Sequence, residues 1–135
     1  MRRQILAAMV VLLALDGGCA SGLNRPVSEV TAKTDRDGVQ RVRVVAHSFY
    51  FEPNRIVVKA GTPVELTIKN AALFVPHNFT CPHDGEGNVI EKNLGMLRGQ
   101  QVARFTPVKA GEYPFYCDVD KHANKGMKGT LVVVK

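Results

Sequence analysis

What this 135-residue chain lacks narrows its class before any motif is read. It has three cysteines, Cys19, Cys81 and Cys117, and no disulfide framework. No apolar run reaches the roughly 20 residues that a membrane-crossing helix needs. The longest, residues 5–15, has 11. No block of like charge is present: 18 Lys and Arg against 12 Asp and Glu give a net charge of +6 spread along the chain, which argues against a nucleic-acid partner. No stretch carries a convincing helical periodicity.

The apolar run behind Met1-Arg-Arg3 has the length of a signal-peptide core, so residues 1–18 are expected to be an export signal. Cys19 follows Gly17 and Gly18 as in a bacterial lipoprotein cleavage site, although Asp16 stands where such sites usually carry leucine. The alternative is ordinary cleavage after Ala20. The expectation is an exported protein, periplasmic or on the outer face of the cell membrane, anchored only by lipid on Cys19 and monomeric. Residues 19–38 are polar, contain Pro26 and Asp35-Arg-Asp-Gly38, and read as a flexible tether. Without Arg2, Arg3 and Asp16 the mature charge stays near +5, and residues 39–135 can bury one core without cross-links.

From residue 39 the pattern is β. Residues 39–46 and 55–59 are rich in β-branched side chains, and 63–69 alternate with period two after the Ala60-Gly-Thr62 turn. Further strands are expected at 77–81, 101–105, 112–117 and 129–135, with Gly and Pro in the gaps. Seven to eight short strands predict an all-β fold, a two-sheet Greek-key sandwich. Tyr113, Phe115 and Cys117 alternate onto one face, taken as the inner one. Pro114 within that strand predicts an edge or a locally irregular stretch. Residues 84–99 look least regular, with Asp84-Gly-Glu-Gly-Asn88 as a turn rather than a calcium loop.

The chemistry lies in one constellation. Cys117, His122 and Met127 follow one another with four residues between each pair, and His77 lies forty residues before the cysteine. A thiolate, two imidazoles and a long, weak thioether form the donor set of a mononuclear blue-copper site, in which one geometry suits Cu(II) and Cu(I). A coordinating thiol is deprotonated outright. A binuclear copper centre would need a second cysteine in the same loop, which has one.

These residues resemble the cupredoxins, the small blue copper proteins, from about Val42 to the end of the chain. Val75-Pro-His-Asn78 is similar to the first-ligand motif of plastocyanin-like members. Gly111-Glu-Tyr-Pro-Phe-Tyr-Cys117, with His122, Met127 and Gly129-Thr-Leu-Val-Val133, is similar to their C-terminal ligand loop. Its spacing is like that of auracyanin and rusticyanin. The resemblance implies His77, Cys117 and His122 as equatorial ligands, Met127 as axial ligand, and Asn78 as the residue tying the two ligand-bearing loops together. It also implies a non-enzymatic one-electron carrier that works between redox protein partners, with His122 as its electron port. Asp118-Val-Asp-Lys121 departs from the family pattern and predicts two carboxylates near the metal, lowering its potential.

Other residues carry weaker readings. Cys81 is expected as a packed thiol, with Cys81 and His83 as the minority reading of a second copper site; His47 is expected at a strand end and Met96 as packing. Asn78-Phe-Thr80 matches a glycosylation acceptor by accident. Lys121, Lys125 and Lys128 would ring the metal mouth, as a solvated rim or a docking site for an acidic partner. Apolar residues 71–76 would lie at the same pole. The alternative to an electron carrier is a copper-binding or copper-delivery protein; an enzyme with an open copper position made possible by Asp118 or Asp120 is the remotest reading.

Overall fold

A computed structural model describes residues 25–135. The export signal and Cys19 lie outside the described residues. The chain forms two sheets packed face to face. The first contains β1 (Glu29–Thr31), β5 (Arg55–Lys59), β7 (His77–Pro82), β8 (Val89–Gly95), β10 (Gly111–Tyr116) and β11 (Lys128–Val134), in the order β1-β5-β11-β10-β7-β8. The second contains β2 (Lys33–Thr34), β3 (Gln40–His47), β6 (Val64–Asn70) and β9 (Gly99–Phe105), in the order β2-β3-β6-β9, with β4 (Tyr50–Glu52) paired to β3. Among the described residues no helix is long and apolar enough to cross a membrane.

Period-two alternation places the core. Val42, Val44 and Ala46 of β3, and Val64, Leu66 and Ile68 of β6, point inward and are buried, while Arg41, Arg43 and Lys69 point out. Opposite them Phe79 and Phe115 meet Phe51, with ring centroids 5.1–5.5 Å apart. Burying each such ring contributes about 1.5–3 kcal/mol, and an edge-to-face pair adds about 0.5–1.5 kcal/mol. This trio lies directly below the end of β10, where Cys117 emerges. Phe115 and Cys117 are fully buried; Tyr113 is half-buried, and its hydroxyl donates to Lys109 O (2.9 Å).

Two buried amides fasten the ends of the sandwich. Gln40 Nε2 donates to Lys59 O and Thr62 O (both 3.1 Å), and its Oε1 accepts from Lys59 N (2.7 Å). At the opposite end, Asn70 Nδ2 donates to Gly95 O (3.0 Å) and Leu97 O (3.3 Å), while its Oδ1 accepts from Ala72 N (3.0 Å). Asn70 thus holds residues 71–76 and the β8–β9 turn beside the start of β7.

Several expectations change. Strands β1 and β2 occupy part of the expected tether: β1 runs parallel to β5, β2 antiparallel to β3, and Val30 and Ala32 pack on the core. Each is too short for alternation to stand out in sequence. The three shortest pieces, β1, β2 and β4, carry the total among the described residues from the expected seven or eight strands to eleven. β8 forms where the sequence looked least regular; as an outer strand it buries only Ile90 and Leu94, four residues apart. Strand β10 is central, not an edge, yet its ladder to β7 is the single pair Tyr116↔Thr80, so the irregularity expected around Pro114 is present on that side. The 84–88 turn is closed by the Asp84 carboxylate, which accepts from Glu86 N (2.8 Å), Asn88 N (3.3 Å) and the Asn88 amide.

Candidate metal centre

Four connections meet at one pole: the β3–β4 hairpin, residues 71–76, the β8–β9 turn and the β10–β11 loop. His77 opens β7 beside a bulge at His77/Asn78. Cys117 follows the last residue of β10, and the chain then makes a short 3₁₀ segment, Val119–Lys125, before β11. Asp120 (φ 39°) and Lys121 (φ 59°) take left-handed conformations inside it, and Gly126 (φ 99°) ends it. These turns bring His122 back toward Cys117. The loop is closed by Cys117 N donating to Met127 O, Ala123 N to Cys117 O, and Met127 N to His122 O, each 3.1 Å.

The result is a buried group of three donors, His77, Cys117 and His122, whose ligand atoms lie within 4.8 Å of one another. Cys117 Sγ is 3.9 Å from His77 Nδ1 and 3.6 Å from His122 Nδ1. Donors held at about 2.0–2.1 Å (N) and about 2.3 Å (S), and separated by 109–120° around one ion, lie about 3.6–3.8 Å apart, so the spacing fits a single metal. One thiolate with two imidazoles is a donor set for copper rather than for hard cations. Met127 is fully buried at the end of the same loop.

Asn78 ties the two ligand-bearing segments as expected. Its N–H donates to Cys117 Sγ (3.4 Å), its Oδ1 accepts from Asp118 N (2.9 Å), and its amide donates to the Asp118 carboxylate. Asp118 therefore faces Asn78, and neither Asp118 nor Asp120 joins the three-donor group. They act on it as charges: Asp118 favours the protonated Cys117 thiol and Asp120 the protonated His122.

Burial sets the protonation of the donors. Desolvation, then the charge of His122, lowers His77 to about 4, and desolvation and Lys125 lower His122, so both imidazoles are neutral and available near pH 7. Desolvation raises the Cys117 thiol, against the pull of the Asn78 and Val119 N–H groups. A cation is what would release that proton. His77 Nε2 is buried with no hydrogen-bond partner.

Sequence reasoning missed Phe49. Its ring meets His122 edge-on, centroids 4.9 Å apart at 71°, and Lys125 Nζ lies 4.4 Å from its centroid. An aromatic residue in a hairpin carries no spacing that would announce this. Leu73, Phe74, Met96 and Leu97 are exposed at the same pole, Phe74 by 71 %, and Phe74 N donates to Met96 O (2.7 Å). Lys121, Lys125 and Lys128 are exposed around the loop.

The remaining candidates lie apart. His47 ends β3, stacked on Tyr50 with centroids 4.4 Å apart. Cys81 is in the core, its thiol pushed up to about 12 by burial. His83 packs against Phe105 (4.9 Å). Among the described residues neither Cys81 nor His83 belongs to a group of three potential ligands.

Comparisons with known proteins bear on the fold and the family. The search of curated proteins gives no match. Among solved structures, reduced auracyanin from Roseiflexus castenholzii superposes with a TM-score of 0.66 at 19% identity, covering 77% of this chain and 99% of that one. The metal-binding domain of the Cu(I)-exporting P-type ATPase CopA of Streptococcus pneumoniae D39 superposes at 0.63 with 27% identity, covering 82% and 100%. Auracyanin A, a "blue" copper protein from Chloroflexus aurantiacus, superposes at 0.62 with 24% identity, covering 72% and 100%. The cupredoxin-like domain family matches residues 6–133, nearly the whole chain. With the two-sheet fold, the buried His-Cys-His group and this match together, the chain belongs to the cupredoxins.

Proposed function

We propose that the protein is a one-electron carrier with a mononuclear type 1 copper site, in which His77, Cys117 and His122 are the strong ligands and Met127 the weak one. The convergence of three buried donors, Cys117 and His122 from a loop held by its own hydrogen bonds and His77 from the start of β7, carries this reading. Bound there, copper supplies a reversible Cu(II)/Cu(I) couple. The protein holds the donors in place through the change. The Asn78 N–H fixes the sulfur, the clasp to Asp118 fixes the loop, and burial keeps both imidazoles neutral. Donors that do not rearrange make electron transfer fast.

The test is to load the mature protein with Cu(II) and record visible absorption and paramagnetic resonance. The expected result is an intense thiolate-to-copper band that bleaches reversibly on reduction. A colourless protein of one-to-one copper content would sink the proposal.

A second reading, copper binding or delivery, is favoured by the 27% identity to a domain named for a Cu(I) exporter. The burial of Cys81 in the core weighs against it, since among the described residues no second thiolate joins the three-donor group. Delivery predicts that a Cu(I) chelator strips the metal within seconds, whereas a carrier retains it.

For the chain's setting we propose an exported monomer, periplasmic or at the outer face of the cell membrane and held there by lipid on Cys19, exchanging electrons with redox proteins and not binding nucleic acid. Cys19→Ser is expected to move the protein from the membrane to the soluble fraction. Exposed Lys121, Lys125 and Lys128 would steer an acidic partner, an effect that weakens with salt.

A further inference from the structure

Phe49 combines three observations that packing alone leaves unexplained. Its backbone is left-handed, φ 68°, as the two-residue Ser48-Phe49 turn between β3 and β4 requires, yet a bulky aromatic stands where glycine or asparagine is usual. Its ring sits edge-on against one of the three donor residues, His122, which keeps only 4 % exposure. Lys125, from the ligand loop itself, places its ammonium over the same ring. The Phe49 side chain thus joins the hairpin of one sheet to the ligand loop of the other. A residue in the ordinary β or α region at position 49 would send its ring elsewhere.

We propose that Phe49 is a positioning residue, a fixed aromatic cover over His122. It holds the imidazole that faces Cys117 Sγ through Nδ1 and keeps water and small anions from that side of the centre. Together with Lys125 it forms the surface that a redox partner meets at this point, in place of a bare imidazole edge. This last part rests on the carrier reading; the cover itself does not.

The experiment uses Phe49→Ala and Phe49→Leu, with the urea midpoint recorded for each. In the apoprotein, modification of His122 by diethyl pyrocarbonate is followed by site-resolved mass spectrometry, with His83 on the distant β7–β8 turn as reference. The ratio of His122 to His83 modification is expected to rise about ten-fold in Phe49→Ala, the upper end of what one aromatic pair contributes, and less in Phe49→Leu. An unchanged ratio in both variants would overturn the proposal. If Phe49→Ala alone loses its fold, seen as a parallel rise at both histidines, the Phe49→Leu ratio decides in the same way. In the copper form, azide is expected to perturb the visible band at lower concentration in the variants than in the wild type; equal sensitivity would also overturn the cover. A wild-type protein without that band would remove the carrier reading and leave the apoprotein result standing.

Discussion

At the pole away from the metal centre the chain turns on glycines and hydrogen-bonded carboxylates: Gly38, Gly61, Gly85 and Gly87 take the positive φ angles, Asp84 closes the β7–β8 turn, and Asp35 and Asp37 pair with Arg41 at 2.7 Å. At the metal pole the left-handed positions include Phe49, Phe74, Asp120 and Lys121, which are all the non-glycine residues of positive φ among the described residues. Each such residue costs about 1–2 kcal/mol. The far pole is built for stability in isolation. The near pole is held in a costlier shape by Asn70, Asn78 and the loop's own bonds, and the difference locates function where the backbone is least comfortable.

The sharpest way to break that contrast is Cys117→Ser. It is expected to abolish the visible band and to weaken copper binding by more than the about 10–100-fold that loss of an outer-shell partner costs, with little change in the far turns by hydrogen exchange. Gly129→Ala comes next. A Cβ there would run into the Phe115 ring and the Asn54 carbonyl, and since the carbonyl is backbone the apoprotein is expected to lose about 3 kcal/mol or more, read from its urea midpoint. Asn78→Ala removes both side-chain bonds to Asp118 and is expected to cost about 1 kcal/mol of apoprotein stability and about ten-fold in copper affinity, measured by competition with a chelator.

Acid separates the poles without mutation. His77 falls from its ordinary 6.5 to about 4 in the fold, so the unfolded chain binds more protons in between. Apoprotein stability is fully present above about pH 6.5 and is lost progressively toward pH 4; His122, shifted the same way, adds to the loss. Urea midpoints at pH 7 and pH 4.5 check it. The smallest effect is expected from Asp84→Ala, which loosens the far turn by about 1 kcal/mol and leaves the copper spectrum unchanged.

The strands that were legible in sequence include the middle ones of each layer and also the outer strand β9, expected at 101–105 and observed at Gly99–Phe105. β3, β5 and β6 alternate because one face of each is core, β7 instead buries Phe79, Thr80 and Cys81 in a row, and the observed bounds of these four and of β11 lie within a residue or two of those expected. β1, β2 and β4 were hidden by length, and β8 by its outer position, which asks for only two buried residues. At the metal centre the donor residues stood out because cysteine, histidine and methionine at such spacing have few other uses. Their support did not. Nothing local marks Asn70 as a brace, Phe49 as a neighbour of His122, or Asp118 as turned to Asn78 rather than to the metal; these follow from which loops share a pole. The Pro114 expectation was half right because a missing N–H disrupts one ladder without forbidding a central place.

The bond from Cys117 N to Met127 O continues the β10–β11 ladder, whose last registered pair is Tyr116↔Lys128. The segment between therefore behaves as a cassette: it leaves and rejoins the first sheet at adjoining rungs, so that a change in its length need not disturb either strand. Three of the four proposed ligands travel with that cassette. A transplant from a relative would exchange the chemistry of the site in one step, with His77, its Asn78 latch and the Phe49 ring left to match.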